Sequence, residues 1–527
     1  MQKESEARSV SLRPGGFGAR IIRNVISNWG TYLLAMAINF FLSPYVVRRL
    51  GNTGYGVWTL ILSLTGYLGL LDLGVRGAVT RYVAKFHAEA EDGRASNIAS
   101  SAIMICSLAG LSAVLVSAIL ATLVVDKMHI SAQYLMSSKL VLITTGLGIA
   151  ASLVNGVFGG IVVGLQRFDL ANTIEIVNSI LRAAMIVLFL HLGFGIVTLA
   201  FIQLGFTLTR LAAGIRLARH VYPQLQIAIG KIDRAGIKMI FSFSAFSFML
   251  HVGASLIYAT DNIVIGSYLP VAAVTFYAIA GNIIEYSKAL VNGIGQTMTP
   301  FASSTEAKGD DAKLRRLVLL SSRAATMVML PVAITFILRG GSFIRLWMGG
   351  EYADLSGKVL WILSLMLLFW SANAVVVGTL LGLSKHKPLV PALLAEGLCN
   401  LSLSIYLVQK MGIVGVAWGT VIPSLLSALV FWPWYIQKTL RIPRISYTIS
   451  AWLRPMLAIV PFVIGSYIVE RYWATNHLIV FFTQVFLTLP LAIVGYWILC
   501  IEPKQRESVS QKLYDLVVRV FARGEAH

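Results

Sequence analysis

The sequence predicts an all-α, polytopic membrane protein of about fourteen transmembrane helices, arranged as two six-helix lobes plus two C-terminal helices. Three observations carry that prediction. Of the 527 residues, 57% are hydrophobic and only 13% are charged, whereas a soluble protein carries about 25% charged residues. The apolar residues come in runs of roughly twenty, the length that crosses a hydrocarbon layer as a helix. The basic residues gather in alternate segments between those runs, as cytoplasmic loops do. A soluble chain of this length would form several domains, each needing a charged skin, and the polar residues to build one are missing. Disordered, collagen-like and disulfide-scaffold classes are excluded with it. Cys106, Cys399 and Cys500 all lie in apolar runs, so no extracellular disulfide framework is expected.

Residues 1–20 are polar and basic, and the apolar run after them is too long for a signal-peptide core, so the first helix is expected to remain. Spans are expected near 24–47, 55–80, 98–124, 139–165, 172–192 and 196–219, then near 238–268, 271–298, 317–338, 358–382, 389–409, 413–436, 452–471 and 477–501. The second and eighth are long and carry charges, so twelve or thirteen spans also fit the sequence. The expected organisation is a cytoplasmic segment (1–20), an N-lobe (21–220), a cytoplasmic linker (221–237), a C-lobe (238–437), two further spans (438–501) and a cytoplasmic tail (502–527). With both termini inside, 31 of the 43 Lys and Arg residues fall in cytoplasmic segments, among them Arg81, Arg167, Lys231, Arg323 and Lys387. That bias explains the net charge of +20 without nucleic acid, because the basic residues are spread over short segments that hold no binding module.

The chain is not expected to be an enzyme. The longest extramembrane stretches are too short for a catalytic domain, no Gly-rich loop carries a Walker lysine, and no Cys/His cluster has metal-ligand spacing.

Sliding the sequence by 219 residues aligns Leu50, Tyr67, Leu71, Gly74, Thr80, Ala88 and Asp92 with Leu269, Tyr286, Leu290, Gly293, Thr299, Ala307 and Asp311. The identities are few, but both segments read as helix, short Gly/Pro turn, long helix, polar loop, the pattern of a transporter built from repeated bundles. The block PYVVRRLGNTGYGVWTLILSLTGYLGLLDLGVRGAVTRYVAKFHAEAED, and TDNIVIGSYLPVAAVTFYAIAGN followed by TPFASS, resemble the polysaccharide transporter family. That family belongs to the multidrug/oligosaccharidyl-lipid/polysaccharide exporter superfamily. The resemblance implies a V-shaped transporter with two lobes around a central cavity, working by alternating access. The cargo it implies is an undecaprenyl-pyrophosphate-linked oligosaccharide.

Charges inside a bilayer are costly unless paired or wet, so each is a functional candidate. Asp72 and Arg76 stand at i,i+4, which on one continuous helix places them on one face. They are expected either to form an ion pair or to line the cavity, with Arg76 attracting phosphate. Glu175, Asn178 and Arg182 form one polar stripe, and a guanidinium such as Arg182 grips pyrophosphate with two parallel hydrogen bonds. Arg182 is expected to line the cavity, or else to be satisfied by Glu175 or by another helix. Glu285 and Lys288 stand at i,i+3, again a structural pair or a cavity pair. Asp261, and Glu396 with Asn400 at i,i+4, are the candidates for ion coupling, since a membrane carboxylate can carry a proton. His251 reads first as a packing residue. Gly156, Gly159, Gly160 and Gly164 form a small-residue stripe suited to close helix contact.

The expected function is translocation of the lipid-linked oligosaccharide across a bacterial plasma membrane for surface or exopolysaccharide synthesis. The expected partners are that cargo, membrane lipids, and a polysaccharide polymerase with its chain-length proteins, with no nucleic acid. No cofactor is expected beyond a coupling ion, H+ or Na+. The rivals are a proton- or sodium-coupled multidrug extruder of the same superfamily and a membrane polysaccharide polymerase or ligase.

Overall fold

A computed structural model describes residues 14–385, 388–501 and 506, and among them every regular element is helical. Most of the expected N-terminal segment, Lys387 and nearly all of the tail lie outside the described residues. The first elements are α1 (Pro14–Gly66), a 3-10 turn (Tyr67–Asp72), α2 (Val75–Ala88), α3 (Asp92–Leu123), α4 (Ala132–Gly164), α5 (Phe168–His191) and α6 (Ile196–Val221). They are followed by α7 (Arg234–Tyr258), α8 (Thr260–Tyr268), α9 (Ala272–Ala307), α10 (Asp311–Trp347), the short α11 (Gly350–Ala353), α12 (Leu355–Gly382) and α13 (Leu389–Met411). The chain then forms α14 (Ile413–Leu426), a π turn (Ser427–Phe431) and α15 (Trp432–Leu440), and α16 (Arg444–Thr448), a second π turn (Ile449–Leu453) and α17 (Arg454–Ala458). It closes with α18 (Val460–Tyr472) and α19 (Leu478–Leu499).

Among the described residues, eleven helical segments are long and apolar enough to cross a membrane, or twelve if a pair bent by 42° around residue 259 is one span. The protein is therefore multi-pass. The number is below fourteen for two local reasons. The first two expected spans fall within one apolar stretch, Gly30–Ala88, turned inside α1 at Gly51, whose φ of 69° and ψ of 171° suit a residue without Cβ. The eighth falls on α9, where Asn282, Glu285, Lys288, Asn292 and Gln296 dilute the apolar residues.

By contacts the chain forms two units. The first runs to Ser255 and includes Leu269–Thr275; the second is Leu256–Tyr268 with Phe276 onward. The division falls inside α7. In the first unit residues 221–237, the expected linker, are strapped to α3. The Tyr222 hydroxyl donates to Asp92, the backbone N–H groups of Gln226 and Ala228 donate to Ser96 and Ser100 at 3.0 and 3.2 Å, and Asp233 N–H donates to Ser101 at 3.3 Å. An irregular strand has no ladder of its own, so these serines satisfy donors that would otherwise be orphaned. Burial and the bond to Asp92 push the Tyr222 phenol above its usual range.

In the second unit, two arginines of α10 fasten the last helices. Arg323 is buried, not among exposed cytoplasmic charges as its position in the sequence suggested; it donates to Ser450 Oγ at 2.7 Å and to the Cys500 carbonyl at 2.6 Å. Arg339, only 1% exposed, pairs with Glu470 at 2.7 Å, donates to Gln484 and lies over the Phe481 ring at 4.6 Å. Breaking such a buried pair costs about 3–5 kcal/mol.

Candidate functional site

The first unit holds an open cavity of about 490 Å³ walled by α2, α4, α5 and α6. Arg76, Asn155, Asn172, Glu175 and Arg210 supply its polar lining, and Gly156 and Gly159 part of its wall. The glycine stripe of α4 divides its work. A Cβ on Gly160 or Gly164 would lie 3.0 or 2.8 Å from the Arg76 or Thr80 carbonyl oxygen, so these two admit α2 at backbone contact, while Gly156 and Gly159 leave room in front of it.

Asp72 and Arg76 do not share a continuous helix as the spacing predicted. Leu73 and Gly74 are both left-handed, at φ 50° and 74°, and they separate the 3-10 turn from α2. The Asp72 carboxylate faces the start of α2, with the backbone N–H groups of Gly74 and Arg76, the Arg76 charge and His251 within electrostatic reach. A break of this kind exposes the first N–H groups of the next helix, and a carboxylate is well suited to take them. Asp72 stands just behind the cavity wall, where a Cβ on Gly156 would meet its Oδ1 at 3.8 Å.

The stripe on α5 is a seam with α6. Glu175 pairs with Arg210 at 2.8 Å, Asn178 donates to the Phe206 carbonyl at 3.1 Å, and Arg182 donates to Gln203 Oε1 at 3.0 Å. The Glu175–Arg182 pair that spacing allowed is thus replaced by two interhelical partnerships, and Arg182 is not among the residues lining the cavity. Arg210 is the member that sequence reasoning missed. It sits near the end of an expected span, where a basic residue reads as an interfacial anchor. Two guanidiniums against one carboxylate leave the cavity lining with an excess of one positive charge.

The second unit gathers the other candidates around Lys288. Its ammonium bonds Glu285 at 2.8 Å, lies 5.8 Å from the Trp370 ring centre, and interacts electrostatically with both Asp261 and Glu396. Asp261 is buried at 5% exposure. Its Oδ2 accepts from the Tyr277 hydroxyl and, at 2.8 Å, from Thr420, while its Oδ1 has no hydrogen-bond partner among the described residues. Asn400 and Ser404 complete this polar knot between α8, α13 and α14: Asn400 donates to the Ile257 carbonyl at 3.1 Å, and Ser404 donates to Asn400 at 3.2 Å. The anticipated Glu396–Asn400 couple therefore does not form. Glu396 instead accepts from Ser424 at 2.7 Å, in an apolar groove of about 780 Å³ between α13 and α14.

The profile of a family described as "Polysaccharide biosynthesis protein" matches residues 21–306, more than half of the chain. The chain belongs to that family. Relatives of this family member include a "Putative O-antigen transporter" of Shigella flexneri, 23% identical over 410 residues that cover 78% of this chain and 96% of the relative. A "Probable low-salt glycan biosynthesis flippase" of Haloferax volcanii is 21% identical over 76% of this chain and 79% of its own length. Among solved structures, the lipid II flippase MurJ in an inward closed conformation aligns with a TM-score of 0.68 at 14% identity, covering 90% of this chain and 98% of MurJ. An inward-facing multidrug resistance transporter of the MATE family aligns with a TM-score of 0.64 at 16% identity, covering 78% and 95%. The fold is that of this transporter superfamily. The chain is thus a multi-pass member of a polysaccharide biosynthesis family, and the relatives named above are transporters or flippases by their descriptions.

Proposed function

We propose that the protein flips an undecaprenyl-pyrophosphate-linked oligosaccharide across a bacterial plasma membrane by alternating access, with both termini cytoplasmic. The observation that carries the reading is the cavity in the first unit, where Arg76 and Arg210 stand with Glu175 and two asparagines. Arginine forks match phosphate geometry and remain charged at any physiological pH. Their excess over carboxylates favours an anionic cargo over the cationic drugs of a multidrug extruder. The glycan-related relatives support the same choice, and the basic bias of alternate segments supports the orientation.

Coupling to an ion gradient is assigned to the second unit. Asp261 fits a proton or a sodium ion, because it is a buried carboxylate with one oxygen unpartnered and hydroxyls on the other. Glu396, close to the same lysine, is the second member of that pathway. The polymerase and chain-length proteins of the same polysaccharide are the expected partners.

The test is export of glycan in cells containing normal amounts of each variant. Arg76→Ala and Arg210→Ala should each lower export about ten-fold or more, as expected when a charge-assisted contact is removed, and Arg→Lys should restore only part of it. Arg182→Ala should cost less, since Arg182 is engaged with Gln203 away from the cavity. Normal export by both Arg76→Ala and Arg210→Ala would overturn the assignment of the cargo site.

A further inference from the structure

The second unit contains another concavity, of about 440 Å³, where the end of α10 meets the first turns of α12 and α14. Asp354, Lys358 and Trp361 follow one another at i, i+4 and i+7 on a single face of α12, and Trp418 of α14 faces them across the cleft. The two indoles stand edge to face, with ring centres 6.3 Å apart and planes at 74°. At the lip, the Lys358 ammonium lies 3.0 Å from the Asp354 carboxylate. Backbone sets part of the floor: a Cβ on Gly357 would lie 3.1 Å from the Gly341 Cα, so α10 and α12 touch there.

We propose that this cleft binds an uncharged sugar ring, one residue of the glycan carried by the transporter. A pyranose has an apolar face of C–H groups and a rim of hydroxyls that both donate and accept. An indole offers a flat apolar surface with a polar edge, and the neighbouring ammonium and carboxylate supply a donor and an acceptor side by side, the arrangement that vicinal hydroxyls require. The volume falls in the range of small-molecule sites, roughly 300–1,000 Å³.

Charge selects the sugar over the other plausible occupant. Trp and Lys at a helix end also serve as membrane-interface anchors, and an anionic lipid headgroup would seek such a place. A phosphate needs excess positive charge, however, and here Asp354 cancels Lys358. The cavity of the first unit has that excess; this cleft does not. The inference rests on the glycan reading above for its ligand class, and the expected topology, which puts residues 339–357 and 410–412 on the outer side, puts the cleft where the glycan would be delivered.

A thiol at the cleft wall reports occupancy without any transport step. In purified full-length protein with Cys399→Ser removing the exposed native thiol, Ala353→Cys should react with a maleimide, and free glucose, galactose or N-acetylglucosamine should be tested for protection. At least one sugar at tens of millimolar should slow labelling about three-fold or more, as a site of millimolar affinity does. Phosphatidylglycerol added to the detergent micelle should not. Trp418→Ala should abolish protection, and the exposed double change Asp354→Ala with Lys358→Ala should abolish it without touching a buried residue. Labelling insensitive to all three sugars, or slowed by phosphatidylglycerol alone, would overturn the proposal. Sugar protection alongside normal export by the Arg76→Ala and Arg210→Ala proteins would refute the cargo site in the first unit and leave this one standing.

Discussion

Residues 67–88 and 286–307 occupy equivalent places in the internal repeat, yet their backbones differ. The first is broken: a 3-10 turn ends at Asp72, two left-handed residues follow, and α2 begins afresh at Val75. The second is part of a single helix, α9. Both contain a glycine at the same register, Gly74 and Gly293, so glycine permits the break but does not impose it. The difference lies two residues earlier, where Asp72 corresponds to Val291. A carboxylate can take the N–H groups that a broken helix exposes; valine cannot, and the helix continues. The consequence for charge is direct. In α9 the i,i+3 pair Glu285–Lys288 forms as helix geometry dictates. In the first half the break releases Arg76 from a pairing of that kind and leaves it on the cavity wall.

The largest effect should come from making the first half like the second. Asp72→Val removes the carboxylate that faces the exposed N–H groups at the start of α2, at about 1–3 kcal/mol when they are buried, and removes a negative charge near Arg76. Export should fall to background, and the melting temperature of the purified protein should drop. Full export by Asp72→Val would show that the break does not depend on the carboxylate.

Amides at the two aspartates should separate a backbone cap from an ionisable group. Asn caps helix ends about as well as Asp, so Asp72→Asn should keep export within about two-fold of wild type. Asp261→Asn retains the acceptor for Tyr277 and Thr420 but cannot gain or lose charge, so export should become insensitive to collapse of the proton and sodium gradients and run far below the wild-type rate. An Asp261→Asn protein still driven at full rate by the same gradient would remove the coupling role from this carboxylate.

The smallest effect concerns the glycines. Gly74→Ala forces a left-handed alanine and should cost about 1–2 kcal/mol. Gly293→Ala replaces glycine inside a helix and should be neutral or stabilising by up to about 1 kcal/mol. Thermal unfolding in detergent gives the two signs, and equal shifts would mean that the two backbones are more alike than the structure shows.

What the sequence alone determined follows from composition and from the helical repeat. Apolar runs and the placement of basic residues fix a multi-pass all-helical protein, because a chain in lipid must satisfy its backbone internally. The Glu285–Lys288 pair was equally legible, since 3.6 residues per turn fix which neighbours meet along one helix. Partners between helices were not. Spacing offered Glu175 as one partner for Arg182, but it belongs to Arg210 on α6, and Asp261 finds Thr420 across 159 residues of chain. Arg339 finds Glu470 across 131. The Asp72–Arg76 spacing misled because it presumed a continuous helix, although Asp72-Leu73-Gly74 carried the signal of a capped break. One apolar helix face resembles another in sequence, so which faces meet, and which polar groups must answer each other there, was decided by tertiary packing.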